Sequence, residues 1–281
     1  MIPTQWIETD ENEHLKRPGQ KHDAVTKSRL VACGHLENRE GLRTDSPTAS
    51  TEALNLICSF AACKRLRIKT ADIKNAYFNA DPIDRLLLLK PPRGGIPGYW
   101  SEEKIAIAAN RPIYGTGDAG RGFYKKFRKC AKDVQLEENR QMLSLYTYHV
   151  EGRIVVMMGA HVDDVIWAAD PKYESMVTEF LSNFVIKHQK EGKFRFCGRE
   201  YEQLDDYSIR ITCQDNTEKS LPINFDKGLR KLEDKATAGE IAQMRSVVGS
   251  LAWIARQVRP RLCYTCSRLQ SVVNSAQVKH L

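Results

Sequence analysis

The stretch from Arg153 to Asp170, reading RIVVMMGAHVDDVIWAAD, constrains the fold more than any other. It is the most apolar run in a polar chain, yet Asp163 and Asp164 stand side by side at its middle. Ile154 to Met158 lead in and Val165 to Ala169 lead out. Each flank has the length and composition of a strand. The stretch therefore predicts a hairpin whose tight turn carries His161, Val162, Asp163 and Asp164, a setting that suits Asp. Two unscreened carboxylates about 4 Å apart repel by roughly 1–4 kcal/mol. Side chains that converge call for a divalent cation, whereas side chains on opposite strand faces do not. Taken alone, the motif leaves two readings open, an exposed acidic turn and a metal site.

The flanking chain supplies elements for either reading. A length of 281 residues allows one large domain or two to three subdomains. A net charge of +8 favours an acidic partner, nucleic acid being the commonest. Residues 5 to 33 read as a basic hairpin around a polar loop with Lys16, Arg17, Pro18, Gly19 and Lys21, and Lys27 and Arg29 share one face of its second strand. A helix starts near Ser50 or Thr51 and buries Leu54, Ile57, Cys58 and Ala61. The segment from Arg67 to Phe78 is a strand running into a loop or short helix, with Asp72 at the strand end. Pro91 to Gly98 is a loop.

Gly115 to Gly120 matches the glycine pattern of dinucleotide-binding loops. It lacks the buried strand that must precede that loop, because Arg111-Pro112 interrupts the approach. It reads instead as a loop ending in Asp118, the N-cap of a helix over 119–134. Phe123, Phe127, Cys130 and Val134 form the buried stripe of that helix. Lys125, Lys126 and Lys129 stand on its outer face, where they either follow a phosphate backbone or are simply solvated.

Asp170-Pro171 starts a helix. Phe194 and Phe196 alternate on one strand and Tyr207 to Cys213 lie on another, with Gln203 to Asp206 as the turn. From Ala238 the chain is helical, broken once at Arg259-Pro260. The eight scattered cysteines predict reduced, mostly buried thiols, and the lone Cys263-x-x-Cys266 lacks further zinc ligands nearby. No apolar run is long enough for a membrane span, and the N-terminus lacks a signal-peptide pattern. These features point to an intracellular, non-secreted protein.

Five motifs in order resemble the copia-type retrotransposon reverse transcriptases. Lys27 to Gly34 (KSRLVACG) resembles the family's KARLVARG, and Asp72 to Asn79 (DIKNAYFN) resembles its DVKxAFLN. Tyr114 to Tyr124 lines up with YGLKQAPRAWY, and His161 to Asp164 sits where the family has YVDD. Met244 to Leu251 (MRSVVGSL) resembles YRSLVGSL.

The resemblance implies an α+β right-hand polymerase with fingers, palm and thumb and an antiparallel palm sheet that carries the catalytic aspartates. Residues 1–220 would be fingers and palm, and 221–281 the helical thumb or connection. It implies Asp72, Asp163 and Asp164 as catalytic metal ligands for two Mg²⁺, with Mn²⁺ as a substitute. Lys27, Arg29, Tyr77, Tyr114 and Gly115 would meet the incoming dNTP, with Tyr77 under the sugar. Phe194 and Gly198 would lie near the primer terminus. The partners would be an RNA template, a DNA primer and dNTP, in the cytoplasm (in a virus-like particle) or the nucleus.

Gly117, Asp118 and Gly120 depart from the family's Lys, Gln and Pro, and His161 replaces a Tyr. The alternative is a catalytically inactive retroelement fragment that only binds nucleic acid. The chain ends near where the family passes into its ribonuclease H domain, so it reads as a piece of a polyprotein.

Overall fold

The computed structural model describes residues 1–13, 16, 19–98, 105–220, 222–226 and 228–281. Arg17 and Pro18 of the expected basic loop lie outside the described residues. In chain order the elements are β1 (Ile2–Asp10), β2 (Thr26–Ala32), α1 (Thr51–Lys64), β3 (Lys69–Ile73), β4 (Leu87–Lys90), β5 (Ile107–Ala109), α2 (Ala119–Asp133), β6 (Glu137–Glu138), β7 (Leu145–Val150), β8 (Arg153–His161), β9 (Asp164–Ala169), α3 (Glu174–Leu181), β10 (Ile186–Glu191), β11 (Lys193–Phe196), β12 (Arg199–Gln203), β13 (Ile209–Thr212), α4 (Gln214–Lys219), α5 (Ala238–Gln257) and α6 (Cys263–Val272). They divide into two compact units: residues 1–11, 24–196 and 202–209, and residues 12–23, 197–201 and 210–281.

The first unit is built on a six-stranded antiparallel sheet in the order β10-β3-β9-β8-β7-β6. The apolar stretch of the sequence becomes β8 and β9 at its centre. Both faces of these strands are covered, so their side chains are apolar almost without alternation. Ala71, Ile73, Val165, Trp167, Val156 and Met158 meet Phe123 and Phe127 of α2 and Val177 and Phe180 of α3. Phe127 holds edge-on or tilted rings of Phe180 and Tyr146 at 4.8 and 5.4 Å.

Alternation along β3 and β9 turns Asp72 and Asp164 to the other face. That face is partly covered by α1, whose N-cap Ser50 accepts from the Ala53 amide. A methyl group at Gly159 would come within 2.8 Å of Ile57 Cδ1, so the bare backbone lets α1 approach. A second sheet, β2-β1-β4-β5, carries the N-terminal hairpin, and its β1–β4 pair is parallel.

The second unit is mostly helical. Thr237 and Glu240 form a reciprocal capping box at the start of α5. Arg230 clamps Glu240 through both oxygens at 2.6 and 3.0 Å and holds that carboxyl down to about 2. Met244 and Val248 of α5 pack with Leu269 and Val272 of α6.

Two expectations need correction. A strand, β12, intervenes where a single turn was expected after Phe196, so the turn moves to Leu204–Ser208. Its Arg199-Glu-Tyr-Glu-Gln sequence is polar at every position but Tyr201, and its buried face includes Arg199 and Gln203, which disguised it. Of the eight thiols only Cys58, Cys130, Cys213 and Cys266 are buried, and none of the eight forms a disulfide among the described residues. No helix among the described residues is long and apolar enough to cross a membrane.

Candidate active site

The β8–β9 hairpin closes through a two-residue turn, Val162-Asp163. Val162 takes φ +56° there, a conformation that favours glycine and costs a β-branched residue about 1–3 kcal/mol. The Asp163 carbonyl accepts from the Ile73 amide at 2.8 Å, which ties the turn to β3. Asp164 is the direct register partner of Asp72 across β3–β9 and of His161 across β8–β9. Opposed residues in such a ladder have Cα atoms about 4.5–5.5 Å apart. The pairing of two strand ends with one turn thus brings Asp72, Asp163 and Asp164 together.

Their protonation records the crowding. Burial pushes the Asp164 carboxyl up to about 7, with further repulsion from Asp163 and Asp72. Asp163 is raised chiefly by burial and also by Asp72, while Arg29 opposes the shift. Burial lowers His161, so its imidazole is neutral near pH 7 and adds no cation beside the acids. His161 Nδ1 has no hydrogen-bond partner among the described residues. Among those residues, no three His, Cys, Asp or Glu side chains are already gathered into a metal cage. An all-oxygen set that keeps waters in its shell suits Mg²⁺, which needs only one or two carboxylates per ion.

Asp72 and Asp163 open onto a cleft of about 470 Å³ that also exposes Lys27, Arg29, Tyr114 and Lys187. Lys27 and Lys187 share Glu11 at 2.9 and 3.2 Å, and these bonds lower the Glu11 carboxyl. Arg29 donates to Thr9 Oγ1 at 3.2 Å, with its guanidinium 5.9 Å from the Tyr114 ring centroid. Tyr114 packs edge-on to Tyr77 at 4.8 Å and Phe78 at 5.8 Å.

Of the expected nucleotide contacts, Lys27, Arg29 and Tyr114 line this cleft. Tyr77 and Gly115 are not among its lining residues. Tyr77 packs against the main core and is still raised by the charge of Asp163 after burial. Gly115 takes φ +93° in close approach to the Ala32 carbonyl.

Lys125, Lys126, Lys129 and Phe194 do not line the cleft. Gly198, at φ +75°, belongs to the second unit, where its carbonyl accepts from Asn216. Lys187 and Glu11 were missed. Nothing in their local sequence marks them, and only the β10–β3 pairing and the N-terminal hairpin carry them to the acids.

The Gly117-Asp118 departure also has a structural account. Asp118 occupies the N-cap position of α2, but its side chain does not cap the helix. It takes a forked bond from Arg85 at 2.9 and 3.0 Å. Arg85 also reaches the buried Glu37 at 2.6 Å, and Glu37 accepts from the Gly117 amide at 2.7 Å. The guanidinium outbids the helix end because a bidentate charged pair is the stronger bond. Asp118 is therefore a neutralised strut, and its charge is not aimed at a nucleotide.

Comparison with known proteins defines the class as a polymerase-type domain. Residues 1–219 match the family described as "Reverse transcriptase (RNA-dependent DNA polymerase)", and the chain belongs to that family. It is similar to the "Retrovirus-related Pol polyprotein from transposon RE1" of Arabidopsis thaliana, at 23% identity over 91% of this chain and 18% of the relative. A second relative, the polyprotein from transposon RE2 of the same plant, matches at 23% identity over 90% of this chain and 18% of the relative. The copia-type retrotransposon resemblance read from the motifs is borne out. The chain spans about a fifth of the length of these relatives.

Proposed function

We propose that this chain is an RNA-directed DNA polymerase that adds dNTPs to a primer 3′-hydroxyl on an RNA or DNA template by two-metal nucleotidyl transfer. The observation that carries the reading is the Asp72–Asp164 register pair with Asp163 at the adjoining turn, where Asp72 and Asp163 face a cleft that also holds Arg29 and Lys27.

Asp72, Asp163 and Asp164 would hold two Mg²⁺, with Asp164 assisting. When bound, the ions would lower the pKa of the primer hydroxyl and stabilise charge on the leaving pyrophosphate. The burial and mutual repulsion that raise Asp163 and Asp164 make this cluster one that a cation would stabilise. Arg29, Lys27 and Lys187 supply cations for the triphosphate, and an incoming phosphate would compete with Glu11 for the two lysines. Tyr77, braced edge-on by Tyr114, would sit beneath the incoming sugar and exclude a 2′-hydroxyl. Residues 1–220 would serve as fingers and palm and residues 221–281 as thumb. A role for Phe194 and Gly198 near the primer terminus rests on the family resemblance.

The competing reading, an inactive fragment that only binds nucleic acid, draws on the loss of a phosphate-side lysine at Gly117. Primer extension on poly(rA)/oligo(dT) with dTTP decides between them. Incorporation that requires Mg²⁺ or Mn²⁺ is expected. Its absence with purified wild type at every level of either metal would overturn the polymerase reading.

A further inference from the structure

A second, larger concavity lies on the first unit. It is a groove of about 1070 Å³ between the outer face of α2 and strands β6 and β7, and it shares no residue with the acid cleft. Six cations line it: Arg121, Lys125, Arg128, Lys129, Lys132 and Arg140. Two of them are spent within the fold, Arg121 on Asp45 and Arg128 on Glu138. Lys125, Lys129, Lys132 and Arg140 are exposed and have no ion pair among the described residues. Lys126 points elsewhere and pairs with Asp81 at 3.7 Å.

Only two acids line the groove, Glu137 and Glu138. Glu138 is already committed, accepting from the Tyr124 hydroxyl at 2.8 Å and the Ser144 amide at 2.9 Å. A merely solvated helix intersperses acids at i±4, whereas α2 carries six cations and one acid, Asp133. Residues 121, 125, 128 and 132 follow helical spacing, so their side chains form one stripe about 16 Å long. The exposed His149 of β7 lies on the opposite wall, next to the half-buried Tyr148, whose ring packs on Tyr173 at 5.8 Å.

The groove is remote from the acids. α2 packs on the sheet face opposite Asp72 and Asp164, and β7 is three strands from β3, about 14 Å across the sheet.

We infer that this groove is a second nucleic-acid site, which holds a single strand by its phosphates along α2 and by a base stacked on the exposed His149 ring. Cations along one wall and an exposed ring on the other suit an unpaired strand. The length fits about two to three nucleotides of an extended strand. The strand could be the unpaired template ahead of the primer or a separate molecule; the chemistry is the same.

The test is anisotropy of a labelled 12-nucleotide single-stranded RNA bound to the full chain, with the acid cleft filled by excess unlabelled blunt primer–template hairpin. Wild type is expected to bind the RNA. Lys125→Ala/Lys129→Ala/Lys132→Ala should lose at least about tenfold in affinity, and the slope of log affinity against log salt should fall by about 2. The matching triple Arg variant should bind like wild type. Replacing the blunt hairpin with one that has a long 5′ template overhang assigns the source: competition by the overhang marks the template, and its absence marks a separate strand. Displacement of the RNA by the blunt hairpin, unchanged affinity and slope in the Ala variant, or binding of polyglutamate in place of RNA would each overturn the proposal. Primer extension by wild type reads the polymerase function separately, so failure of one reading does not mimic failure of the other.

Discussion

Asp163→Asn is expected to lower primer extension by at least about 10³-fold, equivalent to about 4 kcal/mol of transition-state stabilisation, while leaving the chain as stable as wild type or more so. The two halves of this expectation have one cause. Asp163 sits in a strained turn beside Asp72 and Asp164, and both turn acids are raised above their ordinary range by burial and mutual repulsion. A carboxyl raised in the folded state contributes stability that is fully present below its unfolded value and lost as pH rises through its folded value. Without metal, the site is therefore a liability above pH 7, where Asp164 ionises. Asparagine keeps the shape and removes the charge. The melting temperature of the variant in EDTA should match or exceed that of wild type, with any gain larger at pH 8 than at pH 4. Extension at the wild-type rate would remove Asp163 from the mechanism. A large drop in melting temperature would mean that the lost activity reported unfolding.

The second large effect is on the fold. Gly115→Ala should destabilise the protein by about 3 kcal/mol or more, a fall in melting temperature of roughly 6–12 °C. The new methyl group would sit 2.0 Å from the Ala32 carbonyl oxygen and 2.8 Å from Val31 Cγ1, on a backbone at φ +93°. Relief requires moving either the strand that carries Arg29 or the loop that carries Tyr114. The latter is tied back through the bond from the Ala32 amide to the Tyr114 carbonyl at 2.8 Å. Gly34 seals the same contact from the other side, since a methyl group there would also strike the Gly115 carbonyl. Gly239→Ala, in the first turn of α5 with nothing within 4 Å, is the control and should be neutral or slightly stabilising. Equal melting temperatures for the two variants would mean that the Gly115 approach is not needed.

What the sequence made legible follows from what is local. The hairpin was readable because ten apolar residues flank two acids with no ambiguity of period, and β8 and β9 form as that pattern dictates. The helices over 51–64, 119–133 and 238–257 were readable from their buried stripes and starts. Strand β12 was not, because it is polar throughout except at Tyr201 and buries Arg199 and Gln203 on its inner face, so no apolar alternation marks it.

At the site, the acids were legible as types in order, but their meeting depends on the long-range register of Asp72 with Asp164. Lys187 and Glu11 reach the cleft only through such pairings. Arg85 was invisible for the same reason. Its claim on Asp118 crosses 33 positions and defeats the local capping rule that the sequence pattern followed.

The most direct measurement is the position of Mn²⁺, read by its anomalous scattering in crystals of the chain with primer–template and dTTP. Two ions about 3.5–4 Å apart, ligated by the Asp72 and Asp163 carboxylates with Asp164 alongside, are the predicted result. Nucleotide bound in the cleft with no ion at those carboxylates, or with ions held elsewhere, would contradict the account.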